Sequence, residues 1–347
     1  MLLEGKNIVL TGANRGIGNA MLHRFAEEGA NLWAFARRPS ESFEQDCRET
    51  AERYGVWVEP VYCELTDTEA LKAAFKQIMA EKKPLHGLVN NAGVMGEDKM
   101  FQMTSAEEMH RTFEVNFFAM VEVSRLATRL MARNKAGAVV NVASIAGMDG
   151  DSRLDYSASK AAVIAASKKM ARELVSVGVR VNVLAPGFTD TELVAGLSEK
   201  VVEQQLSKIL MHRKARPEEI ANVAAFLLSD LSSYVTGQVG RAGGGVLWIS
   251  GFPKKVFQRK YRVRQECMTM TNMEKYVKAF SEALEVPESE VSALVYGKSE
   301  AWDSVGHMTL VAALEDAFDI MIDMDDIIDL SSFEKGKEIL KKYDVEL

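Results

Sequence analysis

Short, mostly apolar runs alternate with longer segments of helical periodicity along the first two thirds of the chain. Asn7–Thr11, Asn31–Ala36, Trp57–Cys63 and residues 85–90, 138–143 and 179–184 read as strands. The spacing of apolar positions between them predicts helices from the first glycine cluster to Gly29, then over 41–54, 67–81, 105–133, 155–177 and 217–230. A strand covered by helices on both faces has no solvent side, so it reads as a continuous apolar run. Regular alternation of such strands with helices predicts an α/β fold with a doubly wound parallel sheet. Near Met270 the texture changes. Helices are predicted at 272–285, 304–318, 325–329 and 333–342 with no strand signal, and Pro287 and Gly297 break the first long connection. This second pattern is that of a small all-α four-helix domain.

The chain's 347 residues fit one large and one small domain. Hydrophobic residues at 47% and charged residues at 26% are ordinary for a globular protein. No apolar run approaches the ~18 residues of a membrane span. The N-terminus lacks the basic and apolar regions of a secretion signal, so the cytoplasm is the expected compartment. Cys47, Cys63 and Cys267 are too scattered for a disulfide framework, and the five histidines show no ligand spacing. Charge is spread unevenly. Residues 270–347 hold 18 Asp/Glu against 7 Lys/Arg, whereas 252–266 hold six Lys/Arg and one Glu. That asymmetry marks separate modules, the last one suited to basic partner surfaces.

The turn after the first strand carries Thr11, Gly12, Gly16 and Gly18. Glycines there let the backbone approach a pyrophosphate while the next helix presents its N-terminal amides. The second strand ends in Ala36-Arg37-Arg38, where an acidic residue would bind the ribose hydroxyls of NAD. Arg37 and Arg38 instead suit a 2′-phosphate, and Arg15 adds a third positive charge, so NADPH is the expected cofactor.

Ser144 follows a strand, and Tyr156 and Lys160 stand at i, i+4 on the next helix. A tyrosine hydroxyl ordinarily ionises near pH ~10, and a neighbouring ammonium lowers that value. A serine hydroxyl can hold a carbonyl oxygen while hydride arrives at its carbon. The trio suits a carbonyl reductase, although Tyr-x-x-x-Lys alone is common and otherwise marks a surface helix.

Thr11–Gly18, Asn90-Asn91-Ala92-Gly93, Asn116, Ser144, Tyr156, Lys160 and Pro186-Gly187 occur in the order of the short-chain dehydrogenases/reductases. Residues 1–245 resemble that family, and within it the 3-oxoacyl-(acyl-carrier-protein) reductases. The resemblance implies a Rossmann domain over 1–250 that is active as a homo-oligomer, dimer or tetramer. It implies Tyr156 as proton donor, Lys160 as the group that lowers its pKa and binds the nicotinamide ribose, and Ser144 as the carbonyl-orienting residue. Asn116 would hold a water in a proton relay. The cofactor would lie along Gly12, Asn14, Arg15, Gly16, Ile17, Gly18, Asn90, Ala92 and Gly93, with Glu64 and Leu65 beside the adenine and Pro186, Gly187 and Thr189 at the carboxamide. Residues 188–214 would form a mobile lid. Two departures stand out. Eleven residues separate Ser144 from Tyr156, where many relatives have twelve, and this loop is charged (Asp149, Asp151, Arg153, Asp155). The last strand, read over Gly237–Gly245, is filled with glycine, from which a weakened strand and altered assembly are expected.

Asp303-Ser304-Val305 at the start of an amphipathic helix, the acidic tract Glu315–Asp329 and the helix near Phe333–Leu340 resemble an acyl carrier protein over 272–343. A serine there is otherwise an ordinary N-cap. The resemblance implies a carrier-like domain over 270–347 with 4′-phosphopantetheine on Ser304, attached by a phosphopantetheinyl transferase. Its acidic face would dock on other acyl-chain enzymes. Residues 251–269 form a linker, read as a solvated hinge, with no nucleic-acid partner and no membrane span. Whether the fusion is natural or reflects a shifted reading frame stays open.

Three functions follow for weighing. The first is NADPH-dependent reduction of a 3-oxoacyl thioester. The second is reduction of a free small or sugar-derived carbonyl, with the carrier serving another step. In the third, the tail acts only as a carrier or interaction module.

Overall fold

The computed structural model describes residues 1–96, 101–192, 199–246, 270–299 and 301–347. The linker 251–269 and part of the lid, 193–198, lie outside the described residues. The chain divides into two compact units, Met1–Trp248 and Ile249–Leu347.

In the first unit, β1 (Asn7–Thr11), β2 (Asn31–Ala36), β3 (Val58–Tyr62), β4 (Gly87–Asn90), β5 (Gly137–Val142), β6 (Val179–Pro186) and β7 (Val239–Ala242) form one sheet. Its order is β3-β2-β1-β4-β5-β6-β7, and every pairing is parallel. Strands β1 and β2 are buried almost throughout because helices cover both faces, as their apolar runs require. One face packs under α1 (Gly16–Glu27), α2 (Glu41–Tyr54) and α9 (Pro217–Leu228), with Leu22, Phe25 and Leu228 at its centre. The other lies under α3 (Thr68–Ala80), α5 (Ala119–Asn134) and α7 (Leu154–Leu174), around Phe35, Phe75 and Met131. The remaining helices of this unit are α4 (Ala106–Phe113), α6 (Ala146–Asp149) and α8 (Glu199–Leu206).

Two elements depart from expectation. The helix predicted over 105–133 is α4 and α5 joined by a π-helical turn, Glu114–Phe118. Such a wide turn rotates one residue out of register, often at a functional position; here it carries buried Asn116. The last strand is shorter than Gly237–Gly245, but it forms and pairs in register with β6 from Val239 to Ala242. Its trailing glycines have a physical cause. Gly244 and Gly245 adopt φ +62° and +77°, and a methyl group on either would stand within 3.0 Å of Ile209 or Leu210.

In the second unit the described helices are α10 (Asn272–Ala283), α11 (Ser304–Phe318), α12 (Met324–Asp329) and α13 (Phe333–Lys341). They enclose an aromatic centre in which Tyr276, Phe280 and Phe333 lie 4.9–5.0 Å apart between ring centroids. The Tyr276 hydroxyl donates to the Phe333 carbonyl at 2.7 Å. Among the described residues no helix is long and apolar enough to cross a membrane.

Candidate active site

Strand order reverses between β1 and β4, and in doubly wound sheets the crevice outside the carboxyl ends at that point receives the ligand. The glycine turn lies there. A methyl group on Gly18 would stand 1.9 Å from the Gly12 carbonyl oxygen, so the turn closes only with glycine. Arg15 is the extended residue before α1 and provides no side-chain cap, which leaves the first amides of the helix for an anion. Those amides and the open turn suit a pyrophosphate. Asn14 and Arg15 are exposed and Ile17 is half-buried.

The turn is braced from β4. Thr11 Oγ1 accepts from the amides of Asn91 and Ala92 at 3.0 and 3.1 Å, while Asn91 Nδ2 donates to the carbonyls of Thr11 and Gly12. Asn91 is a residue that sequence reasoning quoted but gave no part in the site. The Asn90 side chain is buried in the sheet, where Nδ2 donates to Ser124 Oγ and Asn141 Oδ1. Glu64 folds back on Thr66, whose hydroxyl donates to it at 3.1 Å, and Leu65 is half-buried against the Phe75 cluster. Arg37 and Arg38 are exposed beyond β2 and have no ion pair among the described residues; Arg15 pairs with Glu192 at 3.5 Å.

On the other side of the crevice, α7 carries Tyr156 and Lys160 on one face. Lys160 is buried, and its Nζ donates to the Val142 carbonyl at 2.9 Å and lies 5.9 Å from the Tyr156 ring centroid. Burial pushes its pKa down to about 8, because an ammonium loses its hydration there. A neighbouring ammonium would lower the tyrosine pKa. Burial raises it in this chain, and a hydrogen bond with Ser144 only partly opposes the rise. Near neutrality Tyr156 therefore carries its proton, the form a proton donor needs. Ser144 Oγ also accepts from the Ala146 amide at 3.2 Å.

Asn116 Nδ2 donates to the Val94 carbonyl at 2.9 Å and to Ser159 Oγ at 3.1 Å, and its Oδ1 accepts from the Val94 amide at 2.8 Å. Gly93 packs closely against both this residue and Lys160. A methyl group there would stand 3.2 Å from Asn116 Oδ1 and 3.3 Å from Lys160 Nζ. The amide of Ile145, next to Ser144, donates to the Pro186 carbonyl at 3.0 Å, and the Gly187 amide donates to Ala242. Thr189 is buried, with its hydroxyl donating to Gly187. Asn116, Lys160, Tyr156 and Ser144 are thus gathered beyond the carboxyl ends of β4 and β5.

The charges of the Ser144–Tyr156 loop are paired within the fold. Arg153 and Asp155 form a buried pair, with Nε 2.8 Å from Oδ1, and Thr112 Oγ1 donates to Asp155 Oδ2 at 2.6 Å. Asp149 pairs with Arg241 and Asp151 with Lys208, the latter at 3.2 Å. The shortened loop is therefore stitched to α4, to β7 and to the segment after α8.

In the second unit, Ser304 is the first residue of α11; its side chain lies outside the described residues. Asp303 Oδ1 accepts from the Gly306 amide at 2.8 Å, which makes Asp303 the helix cap. In the acidic tract, Glu315 accepts from the Ile322 amide and Asp326 from the Tyr343 hydroxyl, whereas Asp319, Asp323, Asp325 and Asp329 are exposed.

Comparison with known proteins agrees with this geometry for the first unit. A family model described as enoyl-(acyl carrier protein) reductase matches residues 12–246. A 3-oxoacyl-(acyl-carrier-protein) reductase of Thermotoga maritima is 37% identical over 248 residues, covering 71% of this chain and 100% of the relative. One from Chlamydia muridarum is 35% identical, covering 71% and 98%. Among solved structures, a putative NAD(P)-dependent gluconate 5-dehydrogenase from Beutenbergia cavernae, with bound NADP, is 33% identical with a TM-score of 0.66, covering 70% of this chain and 97% of that one. On its parallel seven-stranded sheet, its motif order and these likenesses, the chain belongs to the short-chain dehydrogenase/reductase family and is an oxidoreductase.

Proposed function

We propose that the first unit, read as a catalytic domain over 1–250, reduces the 3-oxo group of an acyl thioester to the 3-hydroxyacyl product with NADPH. The observation that carries the reading is the convergence of Tyr156, Ser144, Lys160 and Asn116 at the strand ends of a sheet whose switch point also carries an uncapped, glycine-lined helix start. The names of the relatives from Thermotoga maritima and Chlamydia muridarum supply the thioester substrate. NADPH bound along the glycine turn would supply the hydride. The Ser144 hydroxyl donates to the substrate carbonyl oxygen, and the Tyr156 hydroxyl gives that oxygen its proton. Lys160, cationic below about pH 8, favours the phenolate left behind and holds the ribose hydroxyls. Asn116, held by Val94 and Ser159, orders the water that returns the proton. Arg37, Arg38 and Arg15 read the 2′-phosphate.

Residues 270–347 serve as the carrier, with 4′-phosphopantetheine on Ser304. Its place at the start of α11, with Asp303 as the cap, supports this reading. Tethering raises the effective concentration of acyl group near the reductase if the linker 251–269 spans the distance. The active form is a homo-oligomer in the cytoplasm.

One paired assay tests the substrate: NADPH and NADH oxidation with 3-oxoacyl thioesters against free ketones and sugar-derived keto acids. Turnover of thioesters with a preference for NADPH is expected. Inert thioesters with an active free ketone would favour the second reading, to which the gluconate dehydrogenase likeness points. For the carrier, incubation with a phosphopantetheinyl transferase should add the prosthetic mass at Ser304, and Ser304→Ala should block it. Reduction of the tethered acyl group at a rate independent of protein concentration tests the coupling.

A further inference from the structure

Of the three arginines around the expected 2′-phosphate, only Arg15 carries an ion pair among the described residues. We infer that Glu192 is a built-in competitor for that phosphate, a specificity-determining residue that occupies Arg15 until the phosphate displaces it. The inference rests on the NADPH reading above.

The carboxylate is Glu192 Oε2, 3.5 Å from Arg15 Nη1, and both side chains are largely exposed at 75% and 69%. The contact is part of a seated segment. Thr191 lies over the glycine turn, where a methyl group on Gly16 would stand 3.4 Å from its Cγ2. One residue earlier, the Asp190 amide donates to the Ala215 carbonyl at 2.8 Å and the Asp190 carboxylate pairs with Lys214 at 3.0 Å. Thr189 and Ala215 form a parallel bridge. These anchors aim Glu192 at the start of α1. The glycine turn is in turn tied to the end of β2 by the Ala13 amide, which donates to the Phe35 carbonyl at 3.0 Å. Arg15 and Arg37 thus each stand two residues beyond one end of that bond.

A phosphate carrying about −1.5 to −2 charge and three acceptor oxygens outcompetes one carboxylate for a guanidinium. Before it binds, it must release Glu192 and overcome the repulsion between two anions. NADH lacks the 2′-phosphate and does not meet this competition at Arg15. An exposed pair is weak, so the effect is a tuning of selectivity, about two- to fivefold in dissociation constant.

The test is direct binding to the full chain by calorimetry, with NADPH, NADH, 2′-AMP and 5′-AMP as probes. Glu192→Gln should raise the NADPH-over-NADH affinity ratio about two- to fivefold. The 2′-AMP over 5′-AMP ratio should rise in parallel, and the gain should shrink as ionic strength rises. In an Arg15→Ala background the same substitution should leave the ratio unchanged, because the two residues act as one pair. An unchanged ratio in Glu192→Gln, with Arg15→Ala still weakening NADPH selectively, overturns the competitor role and leaves the NADPH reading standing. Equal weakening of both cofactors by Arg15→Ala removes Arg15 from phosphate recognition and overturns the proposal as well. The NADPH reading itself fails separately, if the wild type binds NADH as tightly as NADPH.

Discussion

Replacing Lys160 by Met should abolish reduction yet leave the first unit at least nearly as stable at pH 7, with a stability difference that changes with pH. Lys160 is 4% exposed, and its pKa falls from 10.5 to about 8 on burial. At about 1.4 kcal/mol per pH unit, keeping this ammonium charged inside the fold costs about 3 kcal/mol at neutral pH. Methionine removes that penalty with similar volume. It also removes the hydrogen bond to the Val142 carbonyl, and an unpaired buried acceptor costs about 1–3 kcal/mol. The two nearly cancel at pH 7. The pH dependence does not cancel. Below pH 8 native and unfolded chains both hold the Lys160 proton. Between about 8 and 10.5 the unfolded chain holds more, so wild-type stability from this group rises with pH. Relative to Lys160→Met, the wild type should gain about 1 kcal/mol from pH 7 to pH 9. Hydrogen exchange of β5 and β6 amides, read by mass spectrometry and corrected for intrinsic rates, reports opening of the first unit in the full chain. A difference that is flat or of opposite slope over that window would refute the claim that Lys160 sits charged and desolvated.

Other outcomes follow from the same contacts. Tyr156→Phe should eliminate turnover while NADPH still binds with a dissociation constant within about threefold of wild type, since a hydroxyl is the only group removed; retained turnover would take Tyr156 out of the proton transfer. Asp155→Ala removes a buried carboxylate bonded by both Arg153 and Thr112 and should destabilise the first unit by more than about 2 kcal/mol, whereas Asp151→Ala, which breaks an exposed pair with Lys208, should cost under about 1 kcal/mol in urea unfolding. At the last strand, Gly245→Ala should cost about 1–3 kcal/mol because of its positive φ and the nearness of Leu210. Gly240→Ala, whose methyl group would meet nothing closer than 3.7 Å, should be neutral or stabilising; equal losses at both positions would contradict this account of the glycines.

The sheet was legible in the chain because burial on both faces is written directly as apolar runs, and six strands lie within two residues of where those runs place them. The glycine turn was legible for a similar reason, since close backbone approach leaves glycine no substitute at Gly18. Tyr156 and Lys160 share a face by helical spacing alone. Contacts between distant segments were not legible. Nothing local to Asn90 says that its amide turns inward to Ser124 and Asn141 while Asn91 braces the turn; that choice depends on what β5 and α5 bring beside it. Nor does the loop before Tyr156 reveal that its charges pair with Thr112, Lys208 and Arg241, residues 43 to 92 positions away or, for Lys208, 57. The π-turn at Asn116 keeps the hydrophobic pattern of one long helix, so only packing against Val94 and Ser159 shows it. Local propensity and burial determine which elements form. Ionisation, ion pairing and the direction a polar side chain faces are decided by neighbours that only the tertiary fold assembles, which is why Tyr156 has its pKa raised where a neighbouring ammonium would lower it.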